Sequence, residues 1–328
     1  MPQAVLCRKL GAPEDLALEE VAPAPLGPGQ LRIAIHAAGI NFPDLLMVAG
    51  LYQHKPALPF IPGLEAAGTV SEVGDGADGA FAPGDKVMVA LRQGGYAEEV
   101  VVAPEQAMPL PAGFSFAEGA TFRAAYGTAH HALVDRARLQ AGETLLVHGA
   151  GGGVGLAAVE IGKLLGATVI AAASREAKLA VARARGADHL ILYGREPLRD
   201  AVKRITAGAG ADIVFDPVGG AVFEESLRSI AWGARMLVIG FTGGIGMART
   251  NLVLLKGASV IGVRAGEAGR RDPALRARLS AALTGLTAAG HLRPHISHAL
   301  PLARWAEAMR LVAERQAIGR VALLVRGA

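Results

Sequence analysis

Aromatic residues are scarce in this sequence of 328 residues: Phe, Trp and Tyr make up 5% of it, although 52% is hydrophobic. Ala and Gly supply much of the apolar character, which suits close helix-on-sheet packing. The shortage of aromatics, together with the lack of a basic, aromatic-interleaved tract, argues against an RNA-binding surface. Cysteine is nearly absent too. With Cys7 alone, no internal disulfide framework can form, and a structural zinc site built on two or more thiolates is excluded. A reducing, cytoplasmic setting is the expectation. No apolar run approaches the roughly 20 residues of a membrane helix. The first ten residues carry Arg8 and Lys9 but no apolar stretch ahead of a small-residue cleavage site, so no signal peptide is expected. Charge of one sign is also missing: 33 Lys and Arg stand against 29 Asp and Glu, scattered rather than clustered. That balance predicts neither a nucleic-acid nor a membrane partner.

What is present is length and order. A chain of 328 residues exceeds the size at which one hydrophobic core stops growing, so two lobes are expected. From Ala4 to about Ala103 it reads as short β-branched runs between Gly and Pro clusters, such as Leu31–Ile35 and Lys86–Ala90, which predicts an all-β lobe. From about Ala117 apolar strands alternate with amphipathic helices, the pattern of βαβ units in an open, doubly wound parallel sheet. Strands are expected at Thr144–His148, Thr168–Ala172 and near Leu190, Ile213, Leu237 and Val260. Helices are expected over 153–165 and 175–185. The tail gives a helix over 273–289, a stretch broken by Pro294, a helix over 301–314 and a closing strand Val321–Val325. Having no βαβ partner of its own, the tail is expected to return to the first lobe, so the lobes become 1–123 with 265–328, and 124–264.

The turn after the first parallel strand, Gly149–Gly155, carries the dinucleotide fingerprint as Ala150, Gly152 and Gly155, with Ala for the first glycine. The first position must fit a tight turn. The second must lack a side chain so that backbone N–H groups, Gly153 and Val154 among them, can reach a pyrophosphate. The third lets the helix close on the strand, with its positive end toward the phosphates. An NAD site ends its second strand on an acid, roughly 20 residues beyond the glycines, that accepts the ribose 2′-OH. Here the strand ends on Ala173, followed by Ser174, Arg175, Glu176 and Lys178. Ser174, Arg175 and Lys178 offer a donor and two cations for a 2′-phosphate, which predicts NADPH over NADH.

Taken in order, Ala38–Asp44, Gly50–Tyr52, Pro62–Gly68, Gly84–Val87, Gly94–Glu98, the glycine turn, Phe215–Gly220 and Gly319–Val321 resemble the medium-chain dehydrogenase/reductase superfamily. Within it they are most similar to the zinc-free, zeta-crystallin-like quinone oxidoreductase branch. The resemblance spans nearly the whole chain and implies a GroES-like β lobe, an inserted Rossmann lobe and a C-terminal return. The zinc-dependent branch places a cysteine in the loop that here reads Asn41–Asp44, a histidine where this chain has Leu64, and a four-cysteine lobe. All three are missing, so no metal is expected. Without a Lewis acid to stabilise an alkoxide, reduction of an electrophilic quinone or enone is the implied chemistry.

The resemblance points to Asn41, Asp44 and Tyr52 as catalytic-site residues, with Asn41 and Tyr52 also touching cofactor. Asn41 can donate from its amide and Tyr52 from its hydroxyl, while Asp44 orients neighbours or fixes the ribose. It also implies Thr128 near the nicotinamide or phosphates and Tyr193 near the 2′-phosphate or adenine. Gly240, Phe241 and Thr242, then Ile261 to Val263, end parallel strands on the cofactor side. Asn251 and Lys256 belong to a matching segment, in a structural or substrate-facing role. A homodimer through the Rossmann sheet edge near Val260 is implied by analogy.

Two other readings stay open. One is an enoyl or acryloyl thioester reductase of the same fold, for which Arg92, Arg123 and Arg264 could form a basic collar. The other is a non-catalytic, crystallin-like protein that binds NADPH or RNA. The histidines are read as packing: His130 and His131 on an apolar helix without a third ligand, His148 within its strand, and His291, His295 and His298 in a loop around Pro294. Arg270 and Arg271 read as a solvated helix start, and Cys7 as a small buried hydrophobe.

Overall fold

The β-branched runs of the first hundred residues pair as the alternation of their burial requires. The computed structural model describes every residue except 77, 78, 80, 327 and 328. The chain divides into two compact units, 1–124 with 293–328, and 125–292.

In the first unit β1 (Gln3–Leu6) and β2 (Ala17–Glu20) form a small hairpin sheet. Strand β3 (Leu31–Ile40) is followed by helix α1 (Phe42–Val48), and then by β4 (Glu65–Val73), β5 (Lys86–Ala90), β6 (Glu99–Val102) and β7 (Ala107–Pro109). A short helix α2 (Phe116–Gly119) precedes α3 (Arg123–His130), where the chain passes into the second unit.

The second unit alternates strand and helix: β8 (Thr144–Val147), α4 (Gly153–Leu164), β9 (Thr168–Ala173), α5 (Glu176–Ala184), β10 (His189–Leu192), α6 (Leu198–Ile205), β11 (Ala211–Asp216), α7 (Gly220–Ser226), β12 (Ile230–Val238), α8 (Thr250–Lys256) and β13 (Ser259–Gly262). The six strands run parallel in the order β10-β9-β8-β11-β12-β13, so the order reverses between β8 and β11. In open α/β sheets a ligand crevice opens at such a reversal, outside the carboxyl ends of the strands. The core strands Leu145–Val147, Val169–Ala172 and Ile213–Phe215 are fully buried, as a sheet covered on both faces demands.

Helices α9 (Ala265–Arg271) and α10 (Pro273–Ala288) pack on each other and cluster with the parallel sheet, with Leu279 of α10 facing Gly127 of α3. The crossing back into the first unit therefore falls at Leu292/Arg293, where 265 was expected. The return then gives β14 (Ile296–Pro301), α11 (Trp305–Ala313) and β15 (Arg320–Leu324). β14 occupies the stretch expected to be a loop, with His298 inside it.

The larger sheet of the first unit runs β14-β15-β3-β4-β5-β7, with β6 also on β3. Strand β3 changes partner along its length: Leu31–Ala34 pair with β6 and Ala37–Ile40 with β15, while β4 lines the other edge through two bulges. Bulges of this kind bend a strand and let it serve two sheet segments. Leu31, Ile33, Ile35, Val87, Val89, Tyr96, Val321 and Leu323 are fully buried inside the resulting core. Among the described residues no helix is long and apolar enough to cross a membrane.

Candidate active site

The glycine turn sits where the strand order reverses. Ala150 is buried and its N–H bonds to Ala172 O at 3.0 Å, which ties the turn to β9. Gly149 adopts φ +55°, and Gly152, extended, is the N-cap of α4. A Cβ at Gly155 would lie 2.3 Å from the Gly149 carbonyl oxygen and 2.8 Å from Ala150 Cα, so only glycine lets the helix close on the turn. A Cβ at Gly151 would meet the stem of Lys178 at 2.4 Å, so that side chain lies folded over the turn. The turn thus combines a helix N-terminus with a backbone nearly bare of side chains, the two features by which a pyrophosphate is held in dinucleotide sites.

Around it the expected cofactor residues take these places. β9 ends on Ala173; Ser174 and Arg175 are exposed, Arg175 being the N-cap of α5, and Lys178 is buried. Glu176 lies exposed on α5, 3.8 Å from Arg195, and does not stand at the strand end. Thr128 is partly exposed on α3, which is anchored to α4 by a 2.5 Å bond from the Tyr126 hydroxyl to Glu160. Gly240, Phe241 and Thr242 follow β12, where Thr242 Oγ1 donates to Pro217 O at 3.1 Å and Phe241 is exposed. Ile261 is in β13 and Val263 follows it, its N–H bonding Val238 O at 3.0 Å. Lys256 Nζ donates to Ile230 O at 3.0 Å, a structural tie, while Asn251 is exposed on α8. Tyr193 follows β10, and its hydroxyl turns inward to His148 and to the Gly149 N–H at 3.2 Å.

The expected catalytic residues gather in the first unit. Asn41 and Asp44, read as loop residues, are the N-cap and third residue of α1. Pro43 sits in the first turn of that helix, where its missing N–H would lack a partner anyway. Asn41 N–H donates to Asp44 Oδ2 at 2.8 Å. The Asn41 amide is turned inward as well: Oδ1 accepts from Arg320 at 2.9 Å, and Nδ2 donates to Glu65 Oε1 at 3.1 Å. Arg320 and Glu65 form a buried ion pair, and Glu65 Oε2 accepts the Ala124 N–H at 2.9 Å.

Asp44 is fully buried and accepts the Tyr96 hydroxyl at 3.0 Å. Burial pushes its pKa up to about 7, against the pull of the Asn41 N–H, the Tyr96 hydroxyl and the nearby Gly63 N–H. Tyr52 is partly exposed, packs on the β core, and makes no side-chain hydrogen bond among the described residues. Glu65, Tyr96 and Arg320 lie in segments that carry the family resemblance, but only the fold brings them together. Arg92 is engaged by His54 at 2.9 Å and Arg123 by Gln106 O at 2.5 Å. His131 pairs with Asp135 at 2.9 Å. Among the described residues no group of three or more His, Cys, Asp or Glu stands together as a metal site.

Two family models match, one described as the alcohol dehydrogenase GroES-like domain over 27–112, the other as zinc-binding dehydrogenase over 153–281. Quinone oxidoreductase-like protein 2 of Mus musculus is 37% identical over 326 residues, 99% of this chain and 92% of its own length. Quinone oxidoreductase of Homo sapiens is 32% identical over 326 residues, 98% of each chain. This chain belongs to the medium-chain dehydrogenase/reductase superfamily, in its quinone oxidoreductase branch. A solved structure of that branch, Escherichia coli quinone oxidoreductase complexed with NADPH, superposes with a TM-score of 0.90 at 29% identity, covering 98% of this chain and all of that one. The two-lobe architecture is thus that of the family, a GroES-like β unit and a Rossmann unit. Although one matching model carries zinc in its description, Leu64 and the Asn41 region here offer no thiolate or imidazole in the places where the zinc-dependent branch has them.

Proposed function

We propose that this chain passes a hydride from NADPH to a quinone or an activated alkene such as an enone, without a metal. The observation that carries the cofactor half is the end of β9. Ser174 and Arg175 follow it, the Lys178 stem folds over Gly151, and no carboxylate stands where a ribose 2′-OH would be read. The N–H groups from Gly153 to Gly155, at the positive end of α4, would hold the pyrophosphate. Ser174, Arg175 and Lys178 would hold the 2′-phosphate, and Thr128, Gly240 to Thr242, Ile261 and Val263 would line the nicotinamide side. When bound, NADPH supplies the hydride.

On the acceptor, a quinone takes up that hydride and one proton to give the hydroquinone; an enone takes the hydride at its β-carbon and the proton at its α-carbon. Either path develops negative charge on oxygen and needs a donor there. Tyr52, whose hydroxyl has no partner among the described residues, is assigned that role. Asn41, with its amide engaged by Glu65 and Arg320, shapes the wall of the site, and Asp44 acts through Asn41.

Following absorbance at 340 nm with EDTA-treated protein tests this reading, with NADPH and NADH as donors to benzoquinone, phenanthrenequinone and an enone. Oxidation of NADPH that survives chelation and far exceeds that of NADH is the expected result. Equal kcat/KM for the two donors, or activity lost to chelation, would overturn it.

The same reading includes a homodimer. β13 is an edge strand with Val260 40% exposed, and Trp232 on β12 and Leu254 on α8 are exposed as well, at 78% and 79%. An open apolar edge of that kind invites pairing with a second copy. Light scattering should give twice the chain mass, and Val260→Lys should halve it; a monomeric parent protein would refute the dimer.

A further inference from the structure

Behind the glycine turn lies a buried polar chain. His148, directly after β8, is fully buried. Its Nε2 is 2.7 Å from Ser226 Oγ, and its Nδ1 is 2.9 Å from the Tyr193 hydroxyl. Ser226 Oγ also lies 2.8 Å from Val222 O, an acceptor for its single proton. With its proton directed there, Ser226 accepts from His148, Nε2 carries the imidazole proton and Nδ1 is left as an acceptor, the tautomer assigned to the ring here. The Tyr193 hydroxyl must then donate to Nδ1, and its oxygen accepts the Gly149 N–H at 3.2 Å. Donors run one way through the whole set, from the turn through Tyr193, His148 and Ser226 to the backbone of α7. Ser226 is itself fully buried, so solvent does not compete.

The consequence lies at the turn. Gly149 holds φ +55°, and its carbonyl accepts the Gly152 N–H at 2.9 Å. Its own N–H is drawn onto Tyr193 and away from any ligand. We propose that His148, Tyr193 and Ser226 are positioning residues for the dinucleotide turn. They fix the peptide before the fingerprint so that the later N–H groups face a pyrophosphate, and Tyr193 acts through Gly149 rather than by reading the 2′-phosphate. The inference rests on the assignment of this turn to a nicotinamide dinucleotide.

It makes a prediction that a direct phosphate contact does not. Because the pyrophosphate is common to both dinucleotides, Tyr193→Phe should weaken NADPH and NADH by the same factor, about 5- to 10-fold for one neutral hydrogen bond. A 2′-phosphate ligand would lose NADPH affinity alone. Binding is read by quenching of protein fluorescence, with no acceptor present. Tyr193→Phe keeps the ring and its packing. Adding it to His148→Phe should cost little beyond His148→Phe alone, since both remove the same strut.

In the unliganded protein, ¹⁵N NMR of His148 should show the neutral Nε2–H tautomer unchanged from pH 5 to 9. An Nδ1–H tautomer, loss of NADPH binding only, or unchanged affinity for both dinucleotides would overturn the inference while leaving the proposed function standing. Failure of the parent protein to bind either dinucleotide would overturn both.

Discussion

Each unit buries a titratable hub, and the two hubs are finished differently. In the Rossmann unit His148 has a partner on both nitrogens, and burial pushes its pKa down to about 3, so the ring stays neutral. In the GroES-like unit Asp44 is satisfied on Oδ2 alone; Oδ1, like Nε of the adjacent Arg320, has no hydrogen-bond partner among the described residues. Its neighbours Glu65 and Arg320 carry charge. A closed set of neutral groups fixes geometry and is indifferent to pH near 7. A set of charges with open valences specifies geometry too, but its stability depends on the balance of those charges. The first belongs beside a turn that must keep one shape. The second surrounds Asn41 and the helix start that carries it.

The comparison is broken most severely at Arg320. Arg320→Met leaves Glu65 buried without its cation, and removing one partner of a buried ion pair typically costs about 3 to 5 kcal/mol. Urea unfolding should show that loss in the variant. The double variant Arg320→Met with Glu65→Gln, which removes both charges, should regain part of it. A loss below about 1 kcal/mol, the range of exposed pairs, would mean that the pair is solvated and the contrast between hubs is wrong.

A smaller effect tests the open valence of Asp44. Its folded-state pKa, near 7, lies above the unfolded value of about 3.9. The protonated form is thus favoured by folding: its contribution is full below about pH 4 and is lost as pH rises through 7. At about 1.4 kcal/mol per unit, the parent protein should lose on the order of 2 to 4 kcal/mol from this group between pH 4 and pH 8. Asp44→Asn, neutral at every pH, should lack that component. Urea midpoints for both proteins across the range decide the matter, and parallel curves would remove Asp44 from the argument.

The two hubs also differ in how far the sequence disclosed them. The strand, glycine turn and helix around Gly149 to Gly155 were legible because fingerprint spacing is local and each position has one steric task. The alternation of β8 to β13 with helices was legible by periodicity. Helix α1 was not: at seven residues it is too short for a 3.6-residue period to stand out. β14 was hidden by the break at Pro294. His148 could be read as buried from its place in an apolar strand, but its partners lie 45 and 78 residues away. The Asp44 hub is more dispersed still: Tyr96 is 52 residues from Asp44, and Arg320 is 279 from Asn41. No local pattern encodes such contacts. They follow only from β3 pairing with β4 on one side and β15 on the other, which delivers Glu65 and Arg320 to the same end of the sheet.

The smallest effect is expected at Ser226, and it is the sharpest test of closure. Ser226→Ala leaves the His148 Nε2–H facing a methyl group in a buried site. The ring could move its proton to Nδ1, but there it would meet the Tyr193 hydroxyl, whose oxygen would then have to serve both N–H donors and turn its own proton elsewhere. Either arrangement leaves one donor without a partner, and the cost is about 1 to 2 kcal/mol. Because no member of the set changes charge near neutrality, that cost should be the same at pH 6 and pH 9. An equal loss at both ends of that range, measured by urea unfolding, separates this hub from the one around Asp44. A loss that varies with pH would show that His148 takes part in a charged network after all, and the two hubs would then be alike.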